Sequence, residues 1–80
     1  MTLDKIELGF AAKIQSIQAG ATNKNRLIDM GFIMGTTVMP VFTGLLSEPR
    51  AYLINGAVIA LRNEDARTIN VTKDIGDHYK

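Results

Sequence analysis

Short runs of branched and aromatic residues, each ended by glycine, proline or asparagine, fill the second half of the chain. Residues 36–44, "TTVMPVFTG", have the composition of a strand. Pro40 places this strand at a sheet edge or at a bulge, because proline has no amide hydrogen to donate. Residues 68–72, "TINVT", alternate apolar Ile69 and Val71 with polar side chains. This alternation predicts a last short strand.

The strongest hairpin signal is "RAYLINGAVIALR", residues 50–62. Two strand-like runs flank the dipeptide Asn55-Gly56. Both residues of a type I′ turn need a positive φ, which asparagine and glycine tolerate better than other residues. The sequence therefore predicts a two-residue β-hairpin here.

A helix is predicted within "GATNKNRLIDMG", residues 20–31. Thr22 or Asn23 can cap its first amides. Leu27 and Met30 lie three residues apart and therefore share one face. Gly31 follows the last helical residue, where a left-handed C-terminal cap is commonly glycine. A helix of about two turns is unstable alone, so its apolar face must pack on a larger element.

The N-terminal part gives weaker signals. Thr2 can cap one short helical turn. Ile14 and Ile17 lie three residues apart in a window bounded by Gly9 and Gly20, and this spacing suits a helix or a short strand.

Near the C-terminus, Asn63 can cap one helical turn in "NEDAR", and the polar tail of residues 73–80 is expected to fray. Several short strands with one small helix and tight turns predict a single domain over residues 1–80, with its core in residues 3–72. The predicted architecture is a small β-barrel of about five strands. Closure of a barrel would remove the exposed edges of its sheet.

Composition excludes several classes of protein. The chain has 80 residues and no cysteine, which excludes disulfides and cysteine-based metal centres. Nine basic and eight acidic residues give a net charge of +1, without the basic excess of a nucleic-acid-binding protein. No apolar run reaches the roughly 18 residues of a membrane span, and the N-terminus does not read as a signal peptide. We expect a cytoplasmic protein without direct membrane insertion.

Taken together, the motifs resemble those of the FeoA family of bacterial ferrous-iron transport. The resemblance covers about residues 3–72, and "RLIDMGFIMGT", residues 26–36, is its most specific part. The other matching residues are Leu8, Gly9, Ile14, Ile17, Pro49, Tyr52, Ile54, Gly56, the run 59–62, Asp65, Ala66, Ile69 and Val71. The resemblance implies an SH3-like β-barrel with a short α-helix inserted after the first strand. It also supports a strand over about Ala12–Gln18.

The same resemblance implies a non-enzymatic accessory protein of ferrous-iron uptake. The implied partner is FeoB, a membrane permease with a cytoplasmic guanine-nucleotide-binding domain, on which this chain would dock and which it would modulate. Association with FeoB would place the chain at the periphery of the inner membrane. The alternative is a metal-responsive regulatory domain that binds a transition metal ion directly. Self-association stays open.

Catalytic chemistry has little support in the sequence. The single histidine, His78, lies in the polar tail, so no Ser/His/Asp set can be assembled on ordered elements. Glu64 and Asp65 sit where negative charge favours a helix N-terminus. "GFIMGT" lacks the lysine and the spacing of a phosphate-binding loop. We expect no catalytic and no cofactor-binding residues.

A metal site within one chain is also not expected. A two-histidine, one-carboxylate iron site needs a second histidine. Asp29 and Met30 are neighbours on a helix and diverge by about 100°, and Met30 suits the core. A site between subunits or in the tail, using His78 and acidic residues, stays open for ferrous iron.

Arg26 allows two interpretations. It can pair with Asp29 on the helix surface, or it can present a fixed cation to an acidic partner. An arginine finger for the FeoB nucleotide site is the most specific form of the second interpretation. We expect the structural role, and keep Arg26 and Asp29 as candidate contact residues.

The segment "TGLLSEPR", residues 43–50, is the second candidate surface. Leu45 and Leu46 are consecutive, and Glu48 and Arg50 would rim them. Exposed apolar side chains with a charged rim are typical of a protein-binding patch. Alternatively, both leucines fold back and close the open end of the barrel.

The aromatic residues predict no peptide groove. Phe32, Phe42 and Tyr52 lie on predicted elements, so we expect them mostly in the core. The chain has no tryptophan. A proline-rich ligand of the kind that SH3 domains bind is therefore not expected.

Overall fold

The computed structural model describes residues 1–18 and 20–73. They form a mostly β domain built on one five-stranded antiparallel sheet, with a small helix after the first strand, as predicted. The strands are β1 (Ala12–Ile17), β2 (Thr37–Thr43), β3 (Arg50–Ile54), β4 (Ala57–Leu61) and β5 (Ile69–Lys73); the helices are α1 (Lys24–Asp29) and α2 (Asn63–Ala66). A 3₁₀ turn, Leu3–Lys5, precedes β1. The predicted fraying of residues 73–80 falls, apart from Lys73, outside the described residues.

The strands lie in the order β4-β3-β2-β1-β5. The outer edge of β5 is covered by the chain's own N-terminus, since the Val71 amide donates to the Met1 carbonyl (2.8 Å) and Thr2 bridges to Asn70. The outer edge of β4 has no backbone partner within residues 1–18 and 20–73. The expectation that closure removes the edges is therefore wrong for β4.

Pro40 lies at a bulge, one of its two predicted locations. The register between β2 and β3 shifts between Pro40 and Phe42. Since β2 is flanked by β1 and β3, it is not an edge strand. The Pro40 carbonyl accepts the Gly9 amide (2.7 Å), so the bulge also ties down the chain that leads into β1.

The predicted hairpin is confirmed. Ile54 pairs with Ala57, and the two residues between them have φ values of 52° (Asn55) and 79° (Gly56). Two positive φ values in a two-residue loop define the type I′ turn that matches the twist of the strands.

The end of α1 has the cap predicted for Gly31. This residue has φ 108°, its amide donates to the Ile28 carbonyl (3.0 Å), and the Phe32 amide donates to the Leu27 carbonyl (3.0 Å). These two bonds form a Schellman motif. Leu27 and Phe32 are both buried, so the cap also fixes the helix to the core.

The core lies inside the curved sheet and beneath α1. Its largest fully buried side chains include Tyr52, Phe32, Leu3, Ile6, Ile14, Leu27 and Ile54. Met30 is partly buried against this cluster, as expected. The expectation for Phe42 is wrong: its side chain is 59% exposed, because the bulge after Pro40 turns it to the outer face opposite Ala51.

Burial also changes the chemistry of Tyr52. Desolvation raises the pKa of its hydroxyl above the ordinary value of 10.0; Arg50 opposes the shift, and Asp4 adds to it. The hydroxyl is buried without a hydrogen-bond partner in the described part of the chain. The neutral form of the phenol is therefore the form that the fold favours.

We predict that Gly31→Val lowers the free energy of unfolding by about 1–3 kcal/mol, because a β-branched residue is strained at positive φ. A Cβ atom at this position would also lie 3.0 Å from Asn55 Nδ2. Urea denaturation measures the change. Asn25→Val, at an exposed position of the same helix, is the control and should cost less than about 1 kcal/mol. Equal losses for the two variants would contradict the cap.

We predict that Tyr52→Phe changes stability by less than about 1 kcal/mol at pH 7, because the lost hydroxyl had no partner. Above about pH 10 the unfolded chain ionises Tyr52 more readily than the folded chain, so the wild type loses stability as pH rises. Tyr52→Phe should lack the part of this stability loss that comes from ionisation of Tyr52. Denaturation of the variant and of wild type between pH 7 and 11 measures the difference. Identical pH profiles for Tyr52→Phe and wild type would refute the assignment.

Candidate partner-binding surface

The loop between β2 and β3 displays two leucines. Leu45 is fully exposed and Leu46 is 89% exposed. The Ser47 amide donates to the Gly44 carbonyl (3.1 Å), and the Gly44 amide donates to the Pro49 carbonyl (2.8 Å). Two backbone bonds thus close the loop beneath its tip. Of the two alternatives for this segment, the structure shows the projecting one, and we call residues 44–49 the leucine loop.

Glycine is required at the base of this loop. A Cβ atom on Gly44 would lie 2.7 Å from the Glu48 carbonyl oxygen, closer than atoms can approach without movement of the backbone. The close approach of the two loop arms therefore depends on residue 44 having no side chain.

Glu48 links the leucine loop to α2. Its Oε1 accepts the backbone amide of Asn63, the first residue of the helix, at 2.7 Å, and Asn63 Nδ2 donates to the Ser47 carbonyl (3.4 Å). The N-cap residue of α2 is Arg62, which makes no side-chain cap. The prediction of Asn63 as the cap is thus wrong by one residue, and a carboxylate from another loop satisfies this amide.

Arg50 does not rim the leucines. Only 8% of it is exposed, because it shares the inward face of β3 with Tyr52. Its guanidinium donates to the carbonyls of Asp4 (2.7 Å) and Ile6 and lies 5.4 Å from the centre of the Tyr52 ring. The expectation of a surface charge at Arg50 is wrong: this residue fastens the N-terminal segment to the barrel.

Arg26 pairs with a residue other than the one predicted. Its Nη2 lies 3.0 Å from Asp65 Oδ2, in α2, whereas Asp29 is exposed on α1. Asn23 Nδ2 donates to the other oxygen of Asp65. Asn23 does occupy the predicted N-cap position of α1, but its side chain makes no cap bond and turns to Asp65 instead.

The short helix α2 therefore joins the two candidate surfaces. Asp65 holds the first turn of α1, and Asn63 is held by the leucine loop. Sequence reasoning placed Glu64 and Asp65 at a helix N-terminus but found none of these contacts. The residues that make these contacts lie 15 to 42 positions apart along the chain, and no local pattern signals such pairs.

An open depression of about 360 Å³ lies beside the base of the leucine loop. It is lined by residues 4–8 and by Thr43, Ser47, Arg50 and Asn63. Asp4 and Glu7 balance the charges of Lys5 and Arg50. The depression places a concave surface of no net charge next to the protruding leucines.

Within residues 1–18 and 20–73, no three side chains of the types His, Asp and Glu come together in a metal-binding arrangement. His78 lies outside the described residues, so the predicted alternative of a tail site is not addressed. In the same ranges, no helix has the length and apolar character needed to cross a membrane.

The architecture is that of a small SH3-like barrel with an exposed apolar loop. A family model for the FeoA domain matches residues 1–73. The chain belongs to the FeoA family, a family of ferrous-iron transport, as its sequence motifs predicted.

Two curated relatives match 71 residues each, 89% of this chain. A putative Fe(2+) transport protein A of Campylobacter jejuni is 30% identical, and the match covers 96% of it. An Fe(2+) transport protein A/Fe(2+) transporter FeoB fusion protein of Porphyromonas gingivalis is 32% identical. The match covers 8% of that fusion protein, so this chain corresponds to a small part of it.

Solved structures agree in fold. The FeoA of Stenotrophomonas maltophilia, a prokaryotic SH3 domain protein crystallised with zinc, is 31% identical with a TM-score of 0.77, covering 89% of this chain and 88% of that one. An iron(II) transport protein A of Clostridium thermocellum is 28% identical with a TM-score of 0.87, covering 95% of this chain and 47% of that one.

We predict that Asp65→Ala destabilises the protein by about 1–2 kcal/mol, since it leaves the part-buried Asn23 amide without its acceptor. Arg26→Ala should cost less than about 1 kcal/mol, because the Arg26 side chain is 58% exposed and its ion pair is screened by water. Thermal denaturation of both variants measures which of the two losses of stability is larger. A larger loss for Arg26→Ala would contradict the central position of Asp65.

Proposed function

We propose that this protein is a non-enzymatic accessory factor of ferrous-iron uptake that docks on the cytoplasmic part of the FeoB permease and modulates it. The observation that carries the proposal is the leucine loop, with Leu45 fully exposed and Leu46 89% exposed. Two adjacent leucines in water are unfavourable by about 1.5–3 kcal/mol each relative to burial. A partner surface that covers them would recover this free energy.

One relative supports FeoB as the proposed partner. In Porphyromonas gingivalis a homologous segment is fused to FeoB in one polypeptide. Fusion gives two domains a high effective concentration, which favours a weak contact between them. A FeoA domain that is not fused to FeoB would need an interface that binds on its own.

The construction of the loop suits binding. Its tip is closed by backbone bonds to Gly44 and Pro49, and Glu48 attaches it to α2. Little conformational freedom is then lost when a partner covers the leucines, and such preorganisation favours affinity. The depression beside the loop, which carries no net charge, would receive a protruding side chain of the partner.

Arg26 and Asp29 would contribute at the edge of the contact. Both are exposed on α1, and α2 contacts α1 through Asp65 and the leucine loop through Asn63. Arg26 is already engaged by Asp65, so we assign it an orienting role in the contact rather than that of an arginine finger. Arg50 is buried and stays outside the proposed contact.

The second candidate is a metal-responsive domain, and the zinc complex of the Stenotrophomonas maltophilia relative favours keeping it. Anaerobic calorimetry with ferrous iron on the wild type distinguishes the two functions. Binding of one ion per chain with a Kd below about 10 µM would favour metal sensing. Heats of dilution alone would favour docking.

We predict that the double variant Leu45→Ser/Leu46→Ser weakens binding to the soluble cytoplasmic domain of FeoB by about 10- to 100-fold while its melting temperature stays unchanged. Met34→Ser is the matched control. Met34 is a 75% exposed apolar residue that precedes β2, whereas the leucine loop follows β2 at the other end. NMR titration of labelled protein, with and without guanine nucleotide, measures both affinities.

Equal affinities for the double variant and wild type would refute the leucine loop as the contact. The absence of shifts in wild type at high concentration of either nucleotide form would exclude this FeoB domain as the partner. Shifts of wild type confined to the segment around Met34 would move the contact to the opposite end of the barrel.

A further inference from the structure

The outer edge of β4 carries unpaired hydrogen-bonding groups. Ile54 and Ala57 flank the two-residue turn and therefore form a hydrogen-bonded pair. Such pairs alternate along an antiparallel ladder, so the backbone groups of Val58 and Ala60 point away from β3. No other element of residues 1–18 and 20–73 reaches them with a backbone bond.

The outer edge of β4 lacks the features that keep exposed edge strands from pairing with other molecules. Natural edge strands commonly carry a charge, a proline or a bulge, or lie under other chain segments. β4 reads "AVIAL", with no charge and no proline, and its register with β3 is unbroken from Arg50–Leu61 to Ile54–Ala57. The opposite edge, β5, lies under Met1 and Thr2.

The outer face of the sheet is apolar up to the same edge. Met39, Leu53 and Val58 form one cross-strand row, and Phe42, Ala51 and Ala60 form a second. Val58 is 58% exposed, and Leu53 is 39% exposed. A strand that is apolar on both faces is typical of sheets covered on both sides, but here one side and the edge face water.

We propose that the β4 edges of two copies of this chain pair antiparallel, so that a two-fold axis passes between the Ile59 residues of the two copies. Val58 of each copy then faces the partner's Ala60. Two such pairs give about four backbone hydrogen bonds. The two sheets continue into one, and the apolar rows of both copies meet on its outer face.

Self-complementarity selects a second copy as the occupant. In this register each hydrogen-bonding residue of one edge meets a hydrogen-bonding residue of the other, as a two-fold interface requires. Arg62, the charge next to β4, lies opposite the partner's Gly56 and far from the partner's Arg62. No like charges meet, and an uncharged strand offers no basis for selecting an acidic or a basic peptide.

The size of the contact sets its strength. Each edge contributes a strand of five residues. An interface of this length falls below the area of stable dimers, so the dimer is weak, with a Kd of about 10 µM to 1 mM. The contact uses no residue of the leucine loop or of α1. The test of the dimer is therefore independent of the test of FeoB docking.

Sedimentation velocity and amide hydrogen exchange by NMR, both over about 10 µM to 1 mM protein, test the proposal. We expect a monomer–dimer equilibrium, with protection of the Val58 and Ala60 amides that rises with concentration. The Ile59 amide, which bonds to β3, is protected throughout and serves as the internal reference. A monomer at all concentrations, a dimer with unprotected Val58 and Ala60, or protection independent of concentration would each overturn the proposal.

Ala60→Pro removes the outward amide while sparing the bonds to β3, and should raise the dimer Kd about tenfold or more. Ala60→Ser keeps the amide and is the matched control, with an unchanged Kd. Val58→Lys is a second disrupting variant that places a charge on the edge, in case proline impairs folding. A dimer that survives both disrupting variants, when circular dichroism shows them folded, would refute this interface.

Discussion

One end of this barrel depends on α2, a helix of four residues that is too short to be stable alone. An isolated helix of this length has too few internal hydrogen bonds to offset the order that it imposes on the chain. Here two carboxylates stabilise it from both sides. Glu48 accepts its first amide, and Asp65, on the helix itself, accepts donors from Asn23 and Arg26. The position of α1 and that of the leucine loop both follow from these contacts.

Because the sheet and its core are small, polar contacts stabilise parts of the fold that apolar packing would stabilise in a larger protein. A chain of this length buries only about 60% of the surface that it exposes when unfolded. The buried guanidinium of Arg50 fastens residues 4–6 where a larger protein would have another apolar layer. The leucine loop, with its two exposed leucines, is likewise held by hydrogen bonds rather than by apolar packing.

The local features of the fold could be predicted from the sequence. Asn55-Gly56 and Gly31 are short-range signals, since each reports a backbone angle that few residues adopt, and both were confirmed. The resemblance of the sequence motifs to the FeoA family then extended these local predictions to the whole barrel. The exposure of Phe42 could not be predicted, since the bulge at Pro40 changes which side chains of β2 face inward.

The candidate surface was predicted less completely, for a physical reason. Exposure of Leu45 and Leu46 was one of two alternatives that the sequence allowed, and packing decided between them. Asp65 replaced Asp29 as the partner of Arg26 because the fold brings α2 against α1, which helix spacing does not encode. Arg50 was expected in the charged rim, but strand alternation turns it inward beside Tyr52. The first error concerns a contact between residues far apart in sequence, whereas the alternation that turns Arg50 inward is local and follows from the predicted strand.

Docking through the leucine loop can be tested by methyl cross-saturation from the soluble cytoplasmic domain of FeoB to this protein. We expect strong transfer to the methyl groups of Leu45 and Leu46 and none to those of the buried Leu27. Transfer to other exposed methyl groups with Leu45 and Leu46 unaffected would contradict docking through this loop.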